Sequence, residues 1–212
     1  MTGSKQPERQ GASRLATVNE AAFVAGVSIR VVNQAIDRSE IRTYGRLRKG
    51  GGPGRALGGA EIVYLCVNGL LSSKARKEVY RALAGRELDA VPDVIEMPGA
   101  VRLDIRRPLA EVRARLGLLE RTHALVHADP EIRGGEPVFR GTRIPVHMIA
   151  EFLGKGVPRA EILEDYPSLD EESLDAAVRY AELYPRRGRP KEAPWRSREP
   201  THRFKPGELR GE

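Results

Sequence analysis

Apolar residues in the first quarter of the chain recur at helical spacing. They follow Thr17, a residue type that caps helix N-termini, and they stop at Gly26, which predicts the end of that helix. A second helix is predicted to begin after Ser28 and to run to about residue 37, with Val32 and Ala35 facing inward. Two short helices joined by a tight turn are typical of a helix-turn-helix.

The outward face of the second predicted helix carries polar and basic side chains that suit DNA. Asn and Gln pair bidentately with adenine, and Arg with guanine, in the major groove. A strand is predicted at 42–44, and the basic, glycine-rich segment that follows it is typical of a wing loop lying along the phosphate backbone. The candidate DNA contacts are Ser28, Arg30, Asn33, Gln34, Arg38, Arg46, Arg48 and Lys49.

Two other interpretations of this segment compete with DNA binding. An ordinary helical hairpin has the same apolar spacing, because the A-x-x-x-G-V-S pattern is short. A phosphate-binding P-loop is excluded, since there is no G-K-[S/T] and no helix opens at the last glycine in the required register. With its wing, the segment resembles the head of small winged helix-turn-helix regulators of the MerR type.

The middle of the chain has the pattern of a scaffold. Helices are predicted at 60–67 and 73–84, and a third is predicted from Pro108 to about residue 122. Residues 94–105 alternate around a Pro-Gly pair and predict a hairpin. His123 and His127 have the i, i+4 spacing of a metal pair, but no H-E-x-x-H accompanies them and the helix is expected to end between them. We therefore interpret them as surface histidines.

The segment after His127 predicts a hairpin followed by three helices. A turn is expected at Gly134-Gly135, with two short strands at 137–139 and 143–145. The first helix is predicted at 146–154. The second is expected to start at Pro158 and end before Pro167, and the third to be capped by Asp170 and to run to about residue 184.

This segment resembles the domain-of-unknown-function family four hundred and thirty-three. The order D-P-E-I-x-G-G-x-P-V-x-x-G-T-R-I-P-V, then E-I-L-x-D-Y-P-x-L and A-A-x-x-Y-A, carries the resemblance, and Arg133 stands where Cys is common. Members of that family resemble VapB-type antitoxins that are encoded beside a PIN-like ribonuclease toxin, and some carry an extra N-terminal helix-turn-helix. The resemblance implies a DNA-binding regulator that neutralises a toxin.

We therefore expect a mainly α fold with short β-hairpins. It combines a winged helix-turn-helix head with a hairpin-and-three-helix C-terminal module that is itself helix-turn-helix-like. The predicted organisation is a disordered arm, the winged head, connecting helices and hairpin, the antitoxin-family module and a basic disordered tail. These parts correspond to residues 1–14, 15–58, 59–122, 123–184 and 185–212.

The net charge of +7 is unevenly distributed along the chain. Residues 1–57 hold 10 basic and 4 acidic groups, residues 123–184 hold 6 and 12, and residues 185–212 hold 9 and 4. Because an acidic surface repels phosphate, we expect the head to read DNA and the acidic module to dimerise or dock a partner. Arg140 and Arg143 are exceptions within the module, suited either to partner or phosphate contacts or to structural salt bridges.

Several function classes are disfavoured by the sequence. The acidic runs at Glu164 and Asp170 suggest a metal-dependent nuclease, but adjacent residues on a helix point in different directions and acids at helix starts complement the macrodipole. We predict no catalytic residue, no metal and no cofactor. Cys66 is the single cysteine and no stretch has the ~20 apolar residues of a membrane span, so we expect a cytoplasmic protein.

The basic tail offers three interpretations. R-G-R-P resembles the core of an AT-hook for the minor groove, whereas aromatic and Arg residues in a disordered segment are typical of a partner-binding tail. An idle solubilising tail is the third. We favour toxin binding, with Arg187, Arg189, Trp195, Arg196, Arg198 and Phe204 as the candidate contacts.

The sequence thus predicts an antitoxin of a type II toxin–antitoxin system that represses its own operon. Its expected partners are operator DNA, a cognate PIN-like toxin and a second copy of itself, since helix-turn-helix proteins read paired half-sites. The alternatives are a stand-alone helix-turn-helix regulator with no toxin partner and an adaptor that binds protein only.

Overall fold

The computed structural model describes residues 15–46 and 55–186. Across these residues the chain forms eight α-helices and three small antiparallel sheets, which confirms a mainly α fold with short strand pairs. The predicted N-terminal arm, the wing segment at 47–54 and the tail from 187 onward lie outside the described residues.

The head contains two helices and a three-stranded sheet. Strand β1 is Ala16–Thr17, helices α1 and α2 are Val18–Ala25 and Ile29–Asp37, and strands β2 and β3 are Tyr44–Arg46 and Arg55–Leu57. β3 lies between β1 and β2 and pairs antiparallel with both. Both predicted helices are confirmed, whereas the strand expected at 42–44 begins at Tyr44.

Local caps explain where these two helices begin. The hydroxyl of Thr17 accepts from the Glu20 amide, and the Glu20 carboxylate accepts from the Thr17 amide at 2.7 Å, which forms a capping box. Ser28 accepts from the Val31 amide at the start of α2. Both caps are of the residue types that the sequence predicted.

The middle of the chain contains α3 at Gly59–Asn68, α4 at Ser73–Leu83, a hairpin and α5 at Arg106–Leu125. The hairpin strands β4 and β5 are Val94–Met97 and Val101–Asp104, paired around the predicted Pro-Gly turn. α5 starts before Pro108, because amides in the first helical turn need no helical partner and Asp104 accepts from the Arg106 amide at 3.0 Å.

The C-terminal module contains a two-stranded sheet, β6 at Val126–His127 and β7 at Val138–Phe139, followed by α6 at Val146–Gly154, α7 at Arg159–Asp165 and α8 at Glu171–Leu183. The predicted bounds of α6 are confirmed, and Asp170 is the N-cap of α8 as predicted. Pro158 occupies the N-cap position of α7, so the first helical residue is Arg159 and not Pro158 as predicted.

The predicted pairing of 137–139 with 143–145 is confirmed in part. Val138 and Pro145 form an antiparallel bridge, and beside it the Phe139 amide donates to the Ile144 carbonyl at 3.0 Å. The Thr142 amide closes the turn by donating to the Phe139 carbonyl at 3.0 Å. The pairing of β7 with β6 was not predicted.

The described residues form two hydrophobic clusters. The first spans the head and the middle, with Val24, Val32, Leu65 and Leu109 at its centre, and it also includes Leu183 from the end of α8. The second fills the C-terminal module around Ile149, Ile162 and Leu174. The end of α8 therefore packs into the core of the head.

Candidate nucleic-acid interface

The turn between α1 and α2 depends on Gly26. This residue has a φ of +69°, a conformation that glycine adopts without strain, and the Val27 amide bonds back to the Ala22 carbonyl at 3.0 Å. A Cβ on Gly26 would lie 2.4 Å from Nη1 of Arg115, a residue of α5. Gly26 is therefore favoured by its backbone conformation, whereas the guanidinium lies at the end of a flexible side chain and can move away from a Cβ.

Helix α2 packs one face against the core and leaves the opposite face exposed. Val32 and Ala35 are buried, at 0% and 2% exposed. Arg30, Gln34 and Arg38 are spaced four residues apart, so they form one exposed stripe along the helix. At 1.5 Å per residue, the stripe is roughly 12 Å long, close to the width of a B-DNA major groove.

The other two candidates, Asn33 of α2 and its N-cap Ser28, are less available to bind a ligand. Asn33 is half-buried, beside the exposed stripe. Ser28 is exposed, but its hydroxyl already accepts from the Val31 amide at 3.4 Å as the cap of the helix. Arg30, Gln34 and Arg38 are thus the α2 side chains best placed to reach a ligand.

Asp37, at the end of α2, is paired with Arg55 of β3. Nη1 of Arg55 donates to Oδ1 of Asp37 at 2.9 Å, and both side chains are about half exposed or more. This pair ties α2 to the hairpin and offsets a negative charge next to the basic stripe. No local sequence pattern indicates this pair, because its residues are 18 positions apart in the chain.

A buried carboxylate holds the base of the β2–β3 hairpin. Glu61 of α3 is 1% exposed, and its Oε1 accepts from the hydroxyls of Tyr44 at 3.2 Å and Tyr80 at 2.9 Å. The Tyr80 hydroxyl also accepts from the Arg42 amide at 2.8 Å. Burial raises the pKa of Tyr44 and Tyr80, and the neighbouring Glu61 raises both further.

The wing candidates can be placed only in part. The backbone of Arg46 lies in β2, in register with Arg55, while Arg48 and Lys49 fall outside the described residues.

Arg140 and Arg143, in the turn that follows β7, make no ion pair within the described parts of the chain. Arg140 is exposed, and its Nε donates to the carbonyl of Ala124 at 2.7 Å. Arg143 is also exposed. Of the two interpretations left open for these residues, Arg140 has a structural contact, although to a backbone oxygen and not to a carboxylate.

Acidic residues of the module are engaged in structural contacts. Asp170 caps α8, accepting from the Ser173 amide at 2.8 Å. Arg159 bridges Glu171 and Asp175, each at 2.8 Å. Within residues 15–46 and 55–186, no group of three or more His, Cys, Asp or Glu side chains is arranged to hold a metal ion.

The two histidines considered as a metal pair lie in separate environments. His123 is in α5, with Nε2 2.8 Å from the Tyr184 hydroxyl and 3.4 Å from Glu20. His127 is in β6, with Nε2 3.7 Å from Asp129. The helix ends between them, at Leu125, as predicted.

The candidate toxin contacts all fall outside the described residues, since the last described residue is Arg186. That residue forms an ion pair with Glu136, which also binds Arg133 at 2.9 Å. The Arg133 hydrogen bond, with a smaller effect of Arg186, lowers the pKa of Glu136. No helix in the described residues is long and apolar enough to cross a membrane.

The chain is similar to known proteins both over the C-terminal module and over most of its length. The family model "Protein of unknown function (DUF433)" matches residues 126–181. The chain is 32% identical over 182 residues to "Uncharacterized protein y4eO" of Sinorhizobium fredii (strain NBRC 101917 / NGR234), with 81% of this chain and 82% of that protein covered. A crystal structure of a DUF433 member protein from Anabaena variabilis ATCC 29413 is 34% identical, covers 35% of this chain and 73% of that chain, and has a TM-score of 0.29.

Proposed function

Because this chain belongs to the DUF433 family, we propose that it is an antitoxin-type regulator that binds operator DNA and represses its own operon. We further propose that it neutralises a PIN-like ribonuclease toxin by direct binding. In this proposal the two activities rest on different parts of the chain, so separate variants test them.

The exposed stripe of Arg30, Gln34 and Arg38 is the observation that carries the DNA-binding proposal. These side chains are the types that pair bidentately with guanine and adenine, and α2 is held by a glycine turn and a buried inner face. We interpret α1, α2 and the β2–β3 hairpin as a winged helix-turn-helix, with α2 as the recognition helix.

The distribution of charge supports different roles for the head and for the C-terminal module. The basic head favours phosphate, and the tail after residue 185 is basic as well, whereas the module at 123–184 has twice as many acidic as basic residues. In this proposal the module contributes to a homodimer that presents two α2 helices to paired half-sites. In this proposal an Arg of the basic tail enters the acidic, metal-binding active site expected of a ribonuclease toxin.

The toxin-binding proposal is tested by co-expression with the protein encoded next to this gene. We expect the two to co-purify, and we expect growth arrest by that neighbour to be relieved by the full chain. A chain ending at residue 186 should keep operator binding and lose toxin relief. Full relief by the shortened chain would contradict the assignment of Arg187, Arg189, Trp195, Arg196, Arg198 and Phe204.

A stand-alone regulator with no toxin partner is a second candidate, favoured by one contact. Leu183 packs in the core of the head, and Tyr184 donates a hydrogen bond to Glu20 of α1. A ligand that shifts α8 in the module would therefore also displace residues that contact the head. Operator binding without any co-purifying neighbour would favour this candidate over the antitoxin.

A further inference from the structure

Helix α2 begins with an exposed aliphatic side chain. Ile29 is the first residue of the helix and is 44% exposed. It packs in neither hydrophobic cluster, whereas Val31 and Ile36 of the same helix both pack against the first one. In the part of the chain that the structure describes, only two other large hydrophobic side chains are exposed, Leu70 and Val101. The Ile29 side chain is therefore available to contact a partner.

The position of Ile29 distinguishes it from the other two exposed side chains. In a recognition helix, the N-terminal residues are those that contact base edges in the major groove. Ile29 directly precedes Arg30, the first residue of the exposed stripe, and lies one helical turn before Asn33. Leu70 follows α3 and Val101 begins β5, so neither belongs to α2. Ile29 thus places an aliphatic group at the end of α2 that approaches the bases.

The first turn of α2 favours the approach of DNA. It consists of Ile29, Arg30 and Val31, so it carries a positive charge and no carboxylate. Its backbone N–H groups give this end of the helix a partial positive charge, which attracts phosphate. An acidic residue in the first turn, which stabilises many helices, would repel phosphate here.

An aliphatic side chain in the major groove has one suitable partner among the bases. The C5 methyl of thymine is the apolar group on the base edges there, and the other groups that distinguish the base pairs are hydrogen-bond donors or acceptors. The Ile29 side chain has neither a donor nor an acceptor. Against a G·C pair it would remove water from polar groups without pairing them, so contact with the bases selects thymine.

We propose that Ile29 determines sequence specificity by packing against the C5 methyl of a thymine in the operator. This inference rests on the proposed DNA binding and adds a base that the polar stripe does not read. Consecutive Cα atoms are about 3.8 Å apart and stacked base pairs about 3.4 Å. The thymine therefore lies within about two base pairs of the base that Arg30 contacts.

Operator DNA with uracil in place of thymine tests this contact, because uracil forms the same base pair and lacks only the methyl group. The measurement compares the affinity of the full chain for an operator fragment made with thymine and for the same fragment made with uracil. We expect the uracil fragment to bind at least about three-fold more weakly, the loss for one methyl group in an apolar contact. Equal affinity for the two fragments overturns the proposal.

Substitution of Ile29 assigns the methyl effect to this residue. Ile29→Ala should bind the thymine fragment at least about three-fold more weakly than the parent and should bind both fragments with nearly equal affinity. Val101→Ala, which shortens an exposed aliphatic side chain on β5, should discriminate like the parent. Discrimination that persists in Ile29→Ala overturns the assignment. An equal loss on both fragments also overturns it, because that result indicates a contact with protein and not with the methyl.

The fold of the variants is checked by thermal unfolding. Ile29→Ala should melt like the parent, because Ile29 packs in neither cluster. Ile29→Val, which keeps the branched Cβ and loses one methyl group, should retain part of the discrimination. Full discrimination in every Ile29 variant that folds overturns the proposal.

Single replacements of thymine by uracil locate the contact. We expect the effect within about two base pairs of the position at which Arg30→Ala relaxes the base preference. An effect confined to distant positions overturns the placement of Ile29. If the parent binds no operator DNA, the proposed function fails together with this inference, whereas specific binding without a methyl effect overturns the inference alone.

Discussion

The hydroxyl of Tyr184 donates a hydrogen bond to Oε1 of Glu20, which joins residues 164 positions apart in the chain. Tyr184 follows the last turn of α8 and Glu20 lies in α1, so this bond links the C-terminal module to the head. Asn19 reinforces the link, since its Nδ2 donates to the carbonyl of Leu183 at 2.8 Å.

This link should contribute to stability in a pH-dependent way. Burial on its own raises the pKa of Glu20, but hydrogen bonds from Tyr184 and Thr17 outweigh it and hold the pKa below the ordinary value of 4.5. A depressed carboxyl pKa stabilises the fold above the unfolded value, and that contribution is lost as the pH falls through the folded value.

We expect Tyr184→Phe to lower the free energy of unfolding at pH 7 by about 1–3 kcal/mol, because a buried carboxylate loses a donor. The deficit should shrink as the pH falls through the lowered pKa of Glu20 in the folded parent, because the carboxylate is then protonated in both proteins. Denaturant unfolding at several pH values measures it. Tyr166→Phe is the control, and an equal, pH-independent loss in both variants would contradict the role of the hydroxyl.

A second link between α5 and α8 is formed by Thr122 and Arg179. Thr122 is fully buried, donates to the Leu118 carbonyl at 2.8 Å and accepts from Nε of Arg179 at 3.1 Å. We expect Thr122→Val, which keeps the shape, to cost about 1–3 kcal/mol, because Nε of Arg179 loses its acceptor.

A double-mutant cycle with Arg179→Met checks this assignment by denaturant unfolding. The loss from Thr122→Val should be smaller in the Arg179→Met background, since the unpaired donor is then absent. Additive losses would mean that the two residues are not coupled.

Asp170 should act as a helix cap and not as a charged site. Its Oδ1 accepts from both the amide and the hydroxyl of Ser173, at 2.8 and 2.6 Å, and these bonds lower its pKa. We expect Asp170→Ala to lower stability by about 1 kcal/mol and Asp170→Asn, also a good cap, to lose much less. Equal losses measured by thermal unfolding would show that the charge matters and not the cap.

Tyr64 should titrate far above an ordinary tyrosine. Burial, with the nearby Glu40 carboxylate, raises its pKa to about 12, and its hydroxyl lies 3.4 Å from Oε2 of Glu40. A raised pKa means that this contribution to stability is complete below about pH 10 and is lost as the pH rises through about 12.

Ultraviolet titration of tyrosinate checks this value. The difference between the parent and Tyr64→Phe should appear as a late step near pH 12, coincident with a loss of helical circular dichroism. A Tyr64 step near pH 10 with the fold intact would contradict the burial of this hydroxyl.

The sequence predicted the features that depend on neighbouring residues. The Thr17 cap, the Gly26 stop and the Asp170 cap are each decided within one helical turn, and all three appear where the residue types indicated. Sequence patterns also gave the bounds of α2 and α6.

Features that depend on distant residues were not predictable in this way. β7 pairs with β6 across the intervening residues 128–137, and no periodicity in either two-residue strand reveals this pairing. The approach of Arg115 to Gly26 and the two tyrosine hydroxyls on Glu61 depend on how α3, α4 and α5 pack.

The most direct test of the account is binding of the full chain to DNA from upstream of its own operon. Arg30→Ala combined with Gln34→Ala should weaken specific binding at least about thirty-fold, from roughly 1–3 kcal/mol for each bidentate base contact. Arg113→Ala, an exposed change on α5, serves as the control and should bind like the parent. Unchanged operator affinity in the double variant would contradict the assignment of α2 as the recognition helix.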